Sequence, residues 1–437
     1  MASHLIHSLA VAQESSFGDL DTDHLPTVGG EVAIGVQRAA FFEAYEEPNN
    51  AMDLTRGGAY EYAPEPETVI NRTGAAKFGA ADGEAIRRLS GDITLRARLN
   101  NLGVGTAYAS HGAHPFFQLL ESSCGVIEPP AASDVVASLA TDVNEFEPTS
   151  VADYNLGQVV AVVRNNAVEY ATVTQIDDTP AAELITVSPG FSSVLAKDEA
   201  IIHCTTFYPL LGATMSPVRL RADMAGARLY ACGCRMTKLA LSFEGETLVA
   251  DVTMHPAVVL RDDSNAAVEG WTPSDGVPAQ WLQSYHLISS TAVAGLTAPA
   301  KLTRQALALH EWSAEIDFPL SATPAPHTIL GASNQDVMDA PLTLTLGSEP
   351  DATLADMLRL REERQIVLGC GPAGAGQGAV LCVQAAHLAE GSMLGEGEEG
   401  RQQQAVSMRP GQWALDDGAT DGANTSWRLA FPMPPAP

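Results

Sequence analysis

The chain has 437 residues, with 24 basic against 53 acidic side chains and a formal net charge of −29 at pH 7. Such an acidic surface disfavours wrapping of nucleic acid and docking on an anionic membrane, because both partners are negatively charged. Hydrophobic residues make up 46% of the chain, enough for buried cores. No apolar run approaches the roughly 18 residues of a membrane helix. The charge has a second explanation, since acidity also keeps a large β protein soluble and its sheet edges apart.

The length predicts two or three folding units rather than one. The apolar residues near the N-terminus lack a basic flank, so we expect no signal peptide. Six cysteines are scattered along the chain at positions 124, 204, 232, 234, 370 and 382. Because only Cys232 and Cys234 are close together and no second pair follows, free buried thiols are favoured over a zinc site or disulfides. Free thiols suit synthesis in a reducing cytoplasm.

Regular structure begins after about 90 residues of loop-like composition. Residues 92–99 place Ile93, Leu95, Ala97 and Leu99 on one face, which predicts a strand with one side in water. Residues 114–125 predict a short helix, with Pro115 in the first turn and Gly125 as its stop.

Four closely spaced apolar runs follow an acidic stretch, and they are separated by turn residues. They lie at 156–164, 169–176, 184–187 and 200–204. Short strands at this spacing predict a small barrel-like β module, which we assign to residues 146–206 as an insertion into the main fold.

A hairpin is predicted next, because alternating apolar residues flank the turn at Glu244-Gly-Glu246. Residues 256–305 then return to loop composition, with several prolines and aspartates. So long a loop in a compact domain is usually functional or bound to a partner.

The final third predicts further strand pairs and a second short helix. The helix has Ser348 or Glu349 as its cap and Pro350 in its first turn. The predicted strands lie at 312–318, 342–346, 365–368, 379–383, 405–408 and 427–431. Together these elements predict a mainly β protein, an antiparallel β-sandwich or barrel with short helices and one small inserted β module.

The glycine-rich segment Gly369-Cys-Gly371-Pro-Ala-Gly374 matches the dinucleotide-binding pattern and follows an apolar strand. Pro372 and Gly376 discourage the helix that would hold a pyrophosphate, and residues 379–383 read as a strand. We therefore favour a hairpin loop and predict no cofactor.

Histidines and acidic pairs offer no other recognisable chemistry. His111 and His114 are three residues apart, like His4 and His7, and His203 adjoins Cys204, but none belongs to a metal-binding pattern. Asp177-Asp178 and Asp262-Asp263 lie beside turn residues and lack the spacing of a calcium loop. No nucleophile motif occurs. We predict no catalytic, cofactor-binding or metal-binding residues and no enzymatic activity.

The order of elements resembles that of the tail tube (major tail) proteins of long-tailed, siphovirus-like bacteriophages. The resemblance covers about residues 60–125 and 207–431, and it is a pattern of elements rather than a signature motif. The segments that carry it are Glu67-Thr-Val-Ile-Asn-Arg72, the strand at 91–98, the helix at 115–125, the hairpin strand Tyr230–Phe243, the run 341–351, and the strands 365–368 and 379–383.

The resemblance implies a homo-oligomeric ring, by the family norm a hexamer, stacked into a hollow tube through which DNA passes without specific binding. It also implies contacts with tape measure, terminator and tail-tip proteins, and a place in the virion tail after assembly in the host cytoplasm. Residues 1–145 and 207–437 would form the tube domain, with a loop near 256–305 reaching the next ring. A duplicated domain forming trimers is conceivable, but we find no internal repeat that supports it.

Two other classes stay open at this point. The chain could be another tail component, such as a tail-tip or tail completion protein. It could also be a non-viral β-sandwich that binds or adheres, although an export signal and an exposed aromatic platform are not evident in the sequence.

Overall fold

The computed structural model describes most of the chain and shows a mainly antiparallel β protein, as predicted. The described residues are 6–14, 27–28, 31–32, 61–62, 65–70, 84–99, 114–130, 133–138, 140, 142–164, 167–178, 183–210, 215–224, 227–262, 279, 281, 284–290, 304–324, 332–348, 363–371, 378–391, 395–396, 402–410 and 425–432.

Within these ranges there are 29 strands and one α-helix. The first group of strands is β1 (Ile6–Gln13), β2 (Thr27–Val28), β3 (Glu31–Val32), β4 (Glu61–Tyr62), β5 (Glu65–Ile70), β6 (Glu84–Ser90) and β7 (Ile93–Arg98). After the helix α1 (Pro115–Glu121) come β8 (Cys124–Ile127), β9 (Asp134–Val135), β10 (Glu145–Phe146), β11 (Val159–Arg164), β12 (Ala167–Asp177), β13 (Leu184–Ser188) and β14 (Ala200–Pro209).

The remaining strands run to the last described residue. They are β15 (Val218–Met224), β16 (Ala227–Glu244), β17 (Thr247–His255), β18 (Val258–Asp262), β19 (Tyr285–Ser290), β20 (Arg304–Ala306), β21 (Leu309–Asp317), β22 (Leu320–Pro324), β23 (Ala332–Val337), β24 (Leu342–Ser348), β25 (Arg364–Cys370), β26 (Ala379–Gly391), β27 (Gly395–Glu396), β28 (Gln402–Pro410) and β29 (Trp427–Pro432). Of all these strands, 23 belong to one hydrogen-bonded network.

Two predictions about individual elements need correction. Residues 256–305 are not a continuous loop, because β18, β19 and the start of β20 fall within them. Gly125 does not stop the helix, which ends at Glu121; Gly125 lies in β8, where a Cβ would meet the ring of Tyr208 at 2.5 Å. The second predicted helix, at 349–358, lies outside the described residues.

The strand pairings fall into two sets of seven. Each pair in the first set has a counterpart in the second set, and matched pairs occur in the same strand order along the chain. In the first set the pairs are β1–β15, β4–β7, β5–β6, β7–β17, β15–β16, β16–β17 and β16–β18. In the second set they are β19–β25, β21–β24, β22–β23, β24–β28, β25–β26, β26–β28 and β26–β29. All are antiparallel. We call residues 6–262 the first repeat and residues 285–432 the second repeat.

The residue registers of matched strand pairs also agree, as β16–β17 and β26–β28 show. Met236 pairs with Met254, and a bulge then brings Lys238 opposite Thr253. In the second repeat Leu388 pairs with Met408, and a bulge at the same place brings Glu390 opposite Ser407. A β-bulge is a local irregularity that unrelated strands have no reason to share.

Short stretches of sequence follow the same correspondence. Val252-Thr-Met-His-Pro256 matches Val406-Ser-Met-Arg-Pro410, and Ile93-Thr-Leu95 matches Leu344-Thr-Leu346. The chain therefore contains an internal repeat, which we did not find in the sequence alone. The identities lie in strands or directly beside them, and the insertions between the strands differ greatly in length, which conceals the repeat.

The largest of these insertions separates β7 from β15 in the first repeat. It contains α1, β8, a small β module and β14. The module has a hydrophobic core of its own, distinct from the main core, formed by Val136, Ala140, Phe146, Tyr154, Val160, Val162, Ala171, Val173, Ile185, Val187, Phe191, Leu195 and Ile201. This core begins ten residues before the predicted boundary at 146, because Val136 belongs to it.

The equivalence of the repeats predicts equal energetic roles for equivalent residues. Met254 and Met408 are both fully buried. Replacing either by alanine leaves a cavity, so we expect each variant to lose about 2–5 kcal/mol of unfolding free energy, with similar values for the two. Urea denaturation measures this loss. A large cost at Met254 with a negligible cost at Met408 would contradict the equivalence.

Candidate functional site

The glycine-rich segment at 369–378 lies between two strands that pair with each other in antiparallel fashion, which is the arrangement favoured from the sequence. Cys370 pairs with Ala379 in the antiparallel ladder between β25 and β26, so the residues between them connect neighbouring strands. A strand follows where a dinucleotide-binding turn requires a helix. Gly369 and Gly378 permit a close approach by Tyr170, since a Cβ at either position would lie within 3 Å of its side chain.

The cysteines are free and buried, as predicted. Burial raises the pKa of the Cys370 and Cys382 thiols to about 12, so both are protonated at neutral pH. A protonated, buried thiol is a poor nucleophile and a poor metal ligand. In the described ranges no group of three or more His, Cys, Asp or Glu side chains is arranged to hold a metal ion.

Three of the described histidines, His114, His203 and His286, have structural surroundings. The Nδ1 atom of His114 accepts the N–H of Phe116 at 3.2 Å and so caps α1. His203 is buried beside Tyr154, with ring centroids 4.7 Å apart, and burial lowers its pKa. Burial lowers the pKa of His286 to about 4. His4 and His111 lie outside the described residues. Of the predicted acidic pairs, Asp177 and Asp262 end β12 and β18.

The clearest candidate site is the joint between the repeats, where β16 of the first pairs with β21 of the second. The register places Lys238 opposite Asp317, Leu239 opposite Ile316, and Leu241 opposite Ala314. Through this pairing the sheet of one repeat continues into the next. Sequence reasoning missed the joint, because the paired residues are far apart along the chain.

The joint has one buried and one exposed face. Leu239, Leu241, Ala314 and Ile316 are buried in the main core. On the other face the Nζ of Lys238 lies 2.6 Å from Oε1 of Glu315, and both side chains are over 40% exposed. The hydrogen bond to Glu315 raises the pKa of Lys238. The stability of the joint therefore comes chiefly from apolar burial and backbone hydrogen bonds, since exposed ion pairs contribute little.

Two other strands correspond to the strands of the joint: β4 of the first repeat and the C-terminal half of β26 of the second. Among the described residues β4, the counterpart of β21, pairs only with β7. The C-terminal half of β26, the counterpart of the paired half of β16, has β28 on one side. No described strand pairs with residues 387–391 on the other side. Among the described residues the joint between β16 and β21 is therefore formed once.

A second surface fixes the inserted module to the second repeat. Its apolar part contains Val159, Ala161, Val168, Tyr170, Ile202 and Cys204 from the insertion, with Leu287, Val367, Val380, Cys382 and Ala430 from the second repeat. A buried polar network lies beside it. Gln365 donates to the backbone oxygen of Ser188 at 2.9 Å and to Gln384, and Gln384 donates to Thr172 Oγ1 at 2.6 Å. Directional buried bonds of this kind hold the module in one orientation.

The N-terminal strand is attached to α1 and β16 by carboxylates. Gln13 donates to Glu121 at 3.2 Å, and buried Glu14 accepts the N–H of Gly233 at 2.8 Å. Burial, with a smaller contribution from nearby Glu128, raises the pKa of Glu121 to about 7.

Comparisons with known protein families and with curated proteins found no match for this chain. No helix in the described part of the chain has the length and apolarity to span a bilayer. The functional interpretation therefore depends on the geometry of the joint and on the charge.

The two faces of the joint predict different costs of substitution. We expect Ile316→Ala to lower the unfolding free energy by about 2–5 kcal/mol, because it removes buried apolar contacts. Glu315→Gln should change it by less than about 1 kcal/mol, because the ion pair with Lys238 is exposed. Urea denaturation measures both. A larger cost for Glu315→Gln than for Ile316→Ala would contradict the assignment of the buried face.

The raised pKa of Glu121 predicts a pH-dependent stability. Between about pH 4.5 and 7 the unfolded carboxyl releases its proton while the folded one keeps it, so stability falls as the pH rises through this window. Glu121→Gln removes this loss. The variant should therefore gain stability relative to the unmodified protein, on the order of 2 kcal/mol at pH 8 and little at pH 4.5. Thermal unfolding across this pH range checks it, and a pH-independent difference would refute it.

Proposed function

We propose that this protein is a structural subunit that polymerises as stacked rings into the tail tube of a long-tailed bacteriophage, a hollow conduit for DNA delivery. The observation that carries the proposal is the joint between the repeats. Two equivalent β units already join edge to edge in one chain, with their shared sheet continuous across Leu239 and Ile316. Head-to-tail addition of units in one direction is how rings and tubes are built.

The charge supports the same proposal. A DNA conduit needs a wall that does not bind the passing polyanion, and a chain with 53 acidic and 24 basic residues supplies one. In this proposal DNA passes without specific contacts, and the tube contacts other tail proteins at its two ends. The protein then resides in the virion tail and has no catalytic role.

The inserted module fits a position away from the lumen. It has its own core and a fixed attachment to the second repeat, so it can project from the tube wall without disturbing the joint. An insertion confined to one of two equivalent repeats would decorate every second unit around a ring.

Electron microscopy of the purified full-length protein, combined with mass measurement of the particles, tests the proposal. We expect rings or tubes with a central pore. Each chain contains two repeats, so a ring of six repeats has the mass of three chains, whereas a hexamer of chains has twelve repeats. A monodisperse monomer at all concentrations would contradict the proposal and favour a β-sandwich binding protein.

A further inference from the structure

The joint makes one sheet out of strands from both repeats. In spatial order the strands are β7, β17, β16, β21, β24 and β28, each hydrogen-bonded to the next. Directly after β21 the N–H of Phe318 donates to the backbone oxygen of Thr237 at 2.7 Å. Because donor directions alternate along a strand, the amides of Ala314 and Ile316 face β16 as well. The sheet of the first repeat therefore continues into the second.

The two faces of this sheet have different surroundings. Ala314 and Ile316 of β21 belong to the main core, whereas Ser313, Glu315 and Asp317, which alternate with them, are exposed. The neighbouring strand β24 begins with the same alternation. We call the outward side of the sheet, on which Ser313, Glu315 and Asp317 lie, the joint face. Successive side chains of a strand point to opposite faces, so the joint face is turned away from the main core.

The inserted module lies beyond the other side of the main core. Leu381 of β26 belongs to the main core, whereas Val380 and Cys382 on either side of it pack against the module. The layer that contains β26 and β29 meets the joint across this core, because the rings of Phe318 and of Trp427 in β29 have centroids 6.4 Å apart. The main core therefore separates the module from the joint face.

This arrangement bears on the side of the wall that a conduit can use. The module is a projecting unit with a core of its own, so it would narrow a passage on its side. The joint face is a sheet surface that the two repeats share, and repeated copies can continue such a surface around a ring. In the proposed tube, DNA therefore passes along the joint face.

Two cations on the joint face are held by carboxylates of neighbouring strands. Lys238 is directly opposite Asp317, and its Nζ lies 2.6 Å from Oε1 of Glu315. Arg96 is directly opposite Asp251 and donates to both of its carboxylate oxygens, at 2.5 and 2.7 Å. Exposed ion pairs of this kind add little to stability. Their contribution to the fold therefore does not account for them.

The chemistry of DNA binding suggests another role. Contacts from lysine and arginine to phosphates dominate non-specific binding of DNA. A cation whose charge is balanced by an adjacent carboxylate attracts a passing phosphate less strongly, because the phosphate meets both charges at once. Carboxylates placed beside Lys238 and Arg96 therefore weaken the grip of these cations on DNA.

We infer that the joint face is the surface along which DNA passes, and that Glu315, Asp317 and Asp251 neutralise its central cations so that DNA slides past them. The position of the DNA rests on the proposed function, whereas the neutralisation is a property of the folded chain. Arg98 and Arg409 lie on β7 and β28, the outermost of the six strands, away from the joint.

A DNA titration tests the neutralisation. The unmasked variant carries Asp251→Asn, Glu315→Gln and Asp317→Asn, which keep the shape of the side chains and remove their charge. For full-length protein and a short DNA duplex at low salt, we expect a gain in affinity of about tenfold or more, which shrinks as salt is added. Fluorescence anisotropy of the labelled duplex measures it. Adding Lys238→Gln and Arg96→Gln should remove the gain.

The matched control carries Asp142→Asn, Asp153→Asn and Asp178→Asn, at three exposed positions of the module. It changes the net charge by the same amount and leaves the joint face intact, so it should bind DNA no better than the unmodified protein. Equal gains in the two variants would overturn the inference, because net charge would then govern binding. An unmasked variant that folds, as circular dichroism establishes, and shows no gain would overturn it too. A gain that persists without both cations would do the same.

Biotin labels test the position of the joint face in assembled tubes. Ser313→Cys places a label on the joint face and Lys197→Cys places one on an exposed turn of the module, whereas the six native cysteines are buried. Streptavidin is too bulky for a passage that fits a DNA duplex. In intact tubes we expect it to bind the label at 197 and not the label at 313, and to bind both after the tubes are dissociated.

The outcomes separate the two proposals. Streptavidin bound at 313 in intact tubes would overturn the position of the joint face and leave the tube in place. A chain that forms no tubes would contradict the proposed function and the path of the DNA. The DNA titration needs only the folded chain, so it decides the neutralisation in either case.

Discussion

The backbone N–H and C=O groups of the long strand β16 need hydrogen-bond partners on both sides along 18 residues. The positions of most other elements depend on which strands supply these partners. Its first half pairs with β15 and β18, and its second half pairs with β17 and β21. The partners change around Arg235, which is fully buried and donates to the backbone oxygens of Ser122 at 2.6 Å and Met215 at 2.9 Å. Because buried backbone groups must be paired, this change of partners sets where the insertion, the hairpin and the second repeat can attach.

In the second repeat β26 pairs with the strands that correspond to the partners of β16. The two repeats differ in the residues at the sheet surface on which the module packs. The module packs on Val367, Val380 and Cys382 of the second repeat. The equivalent positions of the first repeat are Arg221, Arg228 and Tyr230 in the sequence. The three residues are therefore apolar in the second repeat, where the module packs on them, and polar at the equivalent positions of the first repeat.

Alternation and turn chemistry were sufficient to predict the fold class, the strand at β7, the hairpin of β16 and β17, and the loop at 369–378. They failed at β18 and β19, because Pro256 and the Asp262-Asp263 pair suggested a loop where strands are held by pairing with distant partners. The joint could not be predicted from local sequence, since Leu239 and Ile316 meet only in the folded chain. The repeat itself left two signals in the sequence, the matches between 252–256 and 406–410 and between 93–95 and 344–346, and both are short enough to escape notice.

The central claim is that two equivalent units share one sheet through β16 and β21, whereas β4, the counterpart of β21, pairs within the described residues with β7 alone. Hydrogen exchange of the folded protein, resolved to single amides, tests this most directly. The amides of Ile316 and Phe318 should exchange as slowly as those of the core strands, because both donate across the joint, and the equivalent amide of Tyr62 should exchange fast. Rapid exchange at Ile316 and Phe318 together with protection at Tyr62 would contradict the account.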